Sequence, residues 1–179
     1  MHIKHRFQNI IPPVDFCSLR YVTETSERLS VRQKIVEPSI RTNDTGAMLT
    51  VIDKGGLGYA ATSDLSESGL RKAVAKAQEW AEHSRNNMLI DLTKVAMPQQ
   101  QGEYNSTVEQ AWDSIPNNAK LDLLRQEADQ CKLNDKIVDW EVSLQAIQTE
   151  QIYLTNTGSE INQHFQYIIP NIRVIANQG

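Results

Sequence analysis

The sequence predicts an α+β domain: a largely antiparallel or mixed β-sheet with two main helices packed on it. Three observations carry this. Apolar and polar residues alternate with period two in the first and last thirds of the chain, so one set of side chains falls on each sheet face. Between them, two segments place apolar residues three and four apart, the stripe of an amphipathic helix. The resulting order, β-β-β-β-α-α-β-β-β, lacks the regular βαβ alternation of a parallel sheet.

In the first strand region, Phe16, Ser18, Arg20 and Val22 alternate with Cys17, Leu19, Tyr21 and Thr23. A second run sets Leu29, Val31 and Gln33 against Ser30, Arg32 and Lys34, with Thr25-Ser26-Glu27 as the turn between. Pro38 limits this second run, because proline cannot donate to a ladder. A third strand is expected over 47–52, after a polar turn at Asn43-Asp44-Thr45-Gly46. Asp53-Lys54-Gly55-Gly56 is a hairpin signal, followed by Gly58 and a short strand over 59–62. Gly46, Gly55, Gly56, Gly58 and, later, Gly158 are read as turn glycines, which admit positive φ. The G-G-x-G spacing leads into a strand and not a helix, so it is not read as a phosphate cradle.

The clearest helix starts near Asp64 to Ser66, either of which can cap it. Leu70, Ala73, Val74, Ala77, Trp80 and Ala81 form its stripe, and it ends near His83 to Arg85. Residues 86–116 read as a long irregular segment, with a loop from Met97-Pro98 to Gly102 and Trp112 as its anchor. A second helix follows Pro116, with Asn117 or Asn118 as cap. Leu121, Leu124, Ala128 and Cys131 are its buried face, and it stops near Asn134. In the last third, Val138, Trp140, Val142, Leu144 and Ala146 alternate with Asp139, Glu141, Ser143 and Gln145. A partner strand over 151–155, a turn at Asn156-Thr157-Gly158-Ser159, and strands over 165–169 and 172–176 complete an antiparallel meander.

The chain has 179 residues, enough for one hydrophobic core without disulfides or a structural metal. Eighteen Lys and Arg against 22 Asp and Glu give a net charge of −4, with no block of either sign. Nucleic-acid binders carry a basic face, so nucleic acid is not the expected partner. Cys17 and Cys131 read as small buried hydrophobes of a reducing compartment. No secretory leader and no apolar run long enough to span a bilayer is visible. The expected location is therefore cytoplasmic, away from membranes.

A complete catalytic or metal site is not expected. His2 and His5 have H-x-x-H spacing, but Ile3 and Lys4 between them supply no glutamate base, and the segment reads as a solvated, non-helical terminus. His83 sits at a helix end, and His164 lies beside Phe165 in a strand. No serine occupies G-x-S-x-G or S-x-x-K, and neither cysteine has neighbours that would activate a thiol. Asp139 and Glu141 project from one strand face, roughly 7 Å apart at Cα, and paired carboxylates can exchange protons. Together with His164 they are the polar candidates, set against the ordinary solvated face of an amphipathic strand.

Three stretches taken in order resemble the N-terminal domain of the TldD/PmbA family, metallopeptidases once called modulators of DNA gyrase. They are Phe16-Cys17-Ser18-Leu19-Arg20 continuing into Leu29-Ser30-Val31-Arg32-Gln33, then Gly46-Ala47-Met48-Leu49-Thr50-Val51 with Gly58-Tyr59-Ala60-Ala61-Thr62-Ser63-Asp64-Leu65-Ser66 and the alanine-rich helix. The third joins Glu127-Ala128-Asp129, Val138-Asp139-Trp140-Glu141-Val142-Ser143-Leu144 and Leu154-Thr155-Asn156-Thr157-Gly158. The resemblance implies an N-terminal extension over 1–15 and a family-like α+β domain over 16–179. In TldD-like members zinc or another divalent metal belongs to an H-E-x-x-x-H helix in a C-terminal domain; this sequence contains no such motif. The implied role is non-catalytic, shaping a peptide channel and subunit contacts in proteolysis or peptide maturation. The implied partners are a C-terminal domain, the second subunit of a dimer and an extended peptide. The alternatives are a freestanding regulatory or binding module, and a self-contained hydrolase using Cys17, Cys131 or His164.

Overall fold

The computed structural model describes residues 3–97 and 99–177. The elements are α1 (Ile3–Gln8), β1 (Phe16–Arg32), β2 (Ile35–Val36), β3 (Ile40–Asp53), β4 (Gly56–Thr62), α2 (Glu67–Ser84), β5 (Gln101–Asn105), α3 (Asn117–Cys131), β6 (Ile137–Thr155) and β7 (Glu160–Ala176). The seven strands form one mixed sheet in the order β4-β3-β1-β6-β7-β5, with β2 pairing β1. The α+β reading therefore holds.

The strands are longer than their patterns predict. Thr25-Ser26-Glu27 is not a turn; it lies within the 17-residue β1. Asn43-Asp44-Thr45-Gly46 lies within β3, so Gly46 is a strand residue. Both polar runs stay extended because they meet on neighbouring strands: Thr25 Oγ1 donates to Asn43 Oδ1 at 3.1 Å. Residues 151–155 belong to β6 itself, and the two strands expected over 165–176 are the single β7, which passes through Pro170. Period-two patterning identifies strand conformation but not where one strand stops. The sheet is also not a simple meander, since β1 lies between β3 and β6, and β5 runs parallel to β7, Gln101 to Asn105 against Glu160 to His164. The sequence hid β5 because its residues are polar and all exposed. Pro98 of the expected loop lies outside the described residues.

The chain divides into two compact units. One comprises residues up to Thr23, Asp44–Asn105 and Glu150–His164. Its core contains Phe7, Ile10, Cys17, Leu19, Leu49, Val51, Leu70, Val74, Ala77, Ala81 and Leu154. The segment around His5 is helical, contrary to expectation, because Phe7 and Ile10 are buried in this core. Arg6 donates to Leu65 O at 2.6 Å and Lys4 pairs with Glu160, which ties the helix down. His2 lies outside the described residues.

Helix α2 forms as predicted. Ser66 caps it, its Oγ accepting from Gly69 N at 3.0 Å. Of its stripe, Leu70, Ala73, Val74, Ala77 and Ala81 are buried, whereas Trp80 is 52% exposed.

The second unit comprises Glu24–Asn43, Ser106–Thr149 and residues from Phe165 onward. Leu29, Val31, Trp112, Leu124, Ala128, Trp140, Val142 and Ala146 form its core. Trp112 anchors the irregular segment as expected. Its indole N–H donates to Glu27, and the Lys120 ammonium lies 3.8 Å over its ring. Helix α3 buries Leu124 and Ala128; Leu121 and Cys131 are partly buried beside them. Pro116 occupies the cap position without a side-chain bond, so neither Asn117 nor Asn118 is the cap.

Candidate functional site

The polar candidates sit in different units. Asp139 and Glu141 share a β6 face, as alternation requires, but both are held by arginines. Arg32 grips Asp139 with two bonds of 3.0 and 2.8 Å, and this guanidinium holds the carboxyl below the usual carboxylate range. Glu141 is buried and lies 2.5 Å from Arg28 and 3.3 Å from Arg173. The ladder Arg28–Glu141–Arg173 joins β1, β6 and β7. His164, on β7 in the other unit, is half-exposed, with Glu150 3.9 Å away.

Burial disfavours the thiolate form of both cysteines. Cys17 is fully buried, and burial pushes its thiol up to about 12. Cys131 is also raised by burial and by Glu127, and its Sγ donates to Glu127 O at 3.3 Å.

The turn glycines divide by role. Lys54 and Gly55 have φ of 49° and 77°, the two positive values of a type I′ hairpin, and Gly158 has φ of 100°. Gly56 and Gly58 are strand residues that admit a helix. A Cβ on Gly56 would lie 1.9 Å from Ala81 O, and one on Gly58 would lie 2.1 Å from Ala77 O. Their missing side chains let α2 rest directly on β4.

Among the described residues the open strand edges include, besides the outer side of β5, stretches of β7 and β4. On β7, β5 covers only residues 160–164; beyond them no described strand lies on that side. Residues 167–176 are all exposed, so both faces of this stretch are. Tyr167, Ile168, Ile169, Ile172, Val174 and Ile175 are each 42–56% exposed, and the only charge, Arg173, is tied to Glu141. A contiguous apolar patch of this kind marks an interaction surface. The second edge is β4, which ends the sheet in the other unit. Neither edge was singled out from the sequence, although the run Tyr167-Ile168-Ile169-Pro170-Asn171-Ile172-Arg173-Val174-Ile175, apolar without alternation, was a visible signal.

Residues 17–81, from β1 into α2, match the family model described as PmbA/TldA metallopeptidase domain 1. That match is confined to this segment, about a third of the chain, and there the sequence is similar to a PmbA/TldD-family first domain.

No curated protein matches the chain. Three solved structures resemble the chain. A proposed modulator of DNA gyrase from Thermotoga maritima is 11% identical over 90% of the chain, with a TM-score of 0.66. One from Bacteroides thetaiotaomicron is 12% identical over 99%, with a TM-score of 0.68. TldE from Thermococcus kodakarensis is 13% identical over 99%, with a TM-score of 0.65. At such identities the likeness establishes the fold. The chain spans 36–40% of the length of those three chains.

A metallopeptidase family raises the question of metal. Among the described residues no three His, Cys, Asp or Glu side chains converge on a point that could hold an ion. No described helix is long and apolar enough to cross a membrane.

Proposed function

We propose that this PmbA/TldD domain is a non-catalytic support of a metallopeptidase-type assembly acting in proteolysis or peptide maturation in the cytoplasm. It offers strand edges to a further domain, to a second subunit and to extended peptide. Zinc or another divalent metal, with its ligands, belongs to a different part of that assembly. The observation that carries this reading is the bare apolar stretch of β7 over 167–176. Monomeric proteins seldom leave an uncharged strand edge open, because it pairs with whatever strand it meets. An assembly partner covers it and gains both main-chain hydrogen bonds and apolar area.

The test removes the corresponding domain from a full-length family member with measurable peptide turnover. Loss of both assembly and turnover is the expected result. Unchanged assembly and turnover would overturn the proposal.

A further inference from the structure

We infer that the cleft between the free edge of β4 and helix α2 is a docking groove for a short extended peptide segment, which adds to the sheet beside Tyr59 and Ala61. This site is distinct from the β7 edge and rests on the reading that the domain offers strand edges to extended peptide.

The register decides which backbone groups face outward. β3 and β4 are antiparallel, with Asp53 opposite Gly56, Val51 opposite Gly58, Leu49 opposite Ala60 and Ala47 opposite Thr62. The two-residue turn Lys54-Gly55 makes Asp53–Gly56 a hydrogen-bonded pair. Bonded and non-bonded pairs then alternate, so Leu57, Tyr59 and Ala61 direct N–H and C=O away from β3. Leu57 verifies this: its N–H donates to Ser84 Oγ at 2.8 Å, and its C=O accepts from the same hydroxyl at 2.8 Å. Helix α2 thereby caps one outward residue. Among the described residues nothing pairs with Tyr59 or Ala61 on that side.

What remains is two donors and two acceptors alternating over two residues, about 6.8 Å apart. A polypeptide backbone in extended form offers that pattern. β4 carries no charge from Gly56 to Thr62, which disfavours phosphate-bearing ligands and suits a neutral main chain. It also has no lysine, proline or bulge to repel a strand. The groove has room for a side chain: about 550 Å³, lined by Leu57, Gly58, Tyr59, Trp80, His83 and Ser84. Trp80 is 52% exposed there, with Lys76 Nζ 5.2 Å over its ring and His83 edge-on at 6.1 Å. Tyr59 is 64% exposed on the adjoining strand. An apolar or aromatic peptide residue beside Trp80, flanked by residues bonding Tyr59 and Ala61, fills the site. Strand addition of this kind takes affinity from the main chain and specificity from alternate side chains.

The experiment is amide hydrogen exchange and titration by NMR on the whole 179-residue chain. The probe is Ac-Thr-Val-Phe-Val-Thr-NH2, with the same peptide N-methylated on alternate amides as control. In the free chain, the Tyr59 and Ala61 amides should exchange at least tenfold faster than those of Gly58 and Ala60. The probe should slow them and shift the Trp80 indole signal, and the N-methylated peptide should bind at least tenfold more weakly. Ala61→Pro deletes one outward donor while keeping the β3 ladder, and should weaken binding similarly; Trp80→Ala should do so through the side-chain pocket. Tyr59 and Ala61 protected without peptide, protection that grows with protein concentration alone, or equal binding of the N-methylated peptide would each overturn the inference. The first two readouts need only the unaltered protein.

Discussion

Two of the open edges, those of β4 and β7, solve the same problem in opposite ways. β4 is short, built of glycine, alanine and threonine around Leu57 and Tyr59, and shielded where Ser84 satisfies both polar groups of Leu57. β7 over 167–176 is long and rich in isoleucine and valine, and its one charge, Arg173, is tied to Glu141. A narrow edge with one aromatic cleft selects a short segment. A long edge with apolar side chains on both faces suits permanent burial, because each covered isoleucine adds roughly 1.5–3 kcal/mol when fully removed from water. The comparison teaches that exposure alone does not define a site; what guards the edge does.

The largest expected effect tests the core of the unit that carries the β7 edge. Trp112→Ala removes a buried indole, its bond to Glu27 and the platform for Lys120, and should cost about 3–5 kcal/mol in denaturant unfolding. Gly58→Ala should cost about 1–3 kcal/mol, since its Cβ meets the backbone of α2 at Ala77. Thermal melts check this, and a neutral Gly58→Ala would mean that α2 does not press on β4. Ile172→Lys sharpens the contrast: the side chain is 56% exposed, so monomer stability should change by less than about 0.5 kcal/mol. Its effect should instead appear in sedimentation, as weaker self-association at high concentration. Equal self-association of the Ile172→Lys chain and the original would remove β7 from the argument.

Two smaller effects follow from protonation. Burial in the folded chain pushes the Cys17 thiol from its ordinary value of 9.0 up to about 12. The unfolded state therefore binds fewer protons between those values, and the stability contributed by the neutral buried thiol is lost as pH rises through that window. Cys17→Ala should flatten this alkaline limb of stability, and an alkylating reagent should label Cys131 well before Cys17. Asp139 lies on the opposite side: Arg32 depresses its folded value, so its contribution is present above about pH 4 and fades as pH falls through the lower folded value. Asp139→Asn should reduce the slope of an acid titration of stability.

Much of the fold was legible. Helix α2, its Ser66 cap, the Lys54-Gly55 hairpin, the Gly158 turn and the Trp112 anchor all rest on local chemistry that a sequence displays directly. Strand ends were not legible. Thr25 and Asn43 read as turn residues until a partner strand answers them, and pairing across strands is not a local property. The polar pair Asp139–Glu141 was visible, but its arginines come from β1 and β7, more than 30 residues away in sequence.

By itself, the sequence determined the main element types, the glycine positions and the likeness of residues 17–81 to a family model, because these depend on side chains within a few residues of each other or on their order. Only the tertiary structure decided that Gly56 and Gly58 are a seat for α2 and not turn residues, and that Glu141 is a buried ion-pair centre. It alone left β4 and β7 with unpaired edges. The physical reason is that steric exclusion, ion pairing and strand pairing act between residues the chain brings together only on folding.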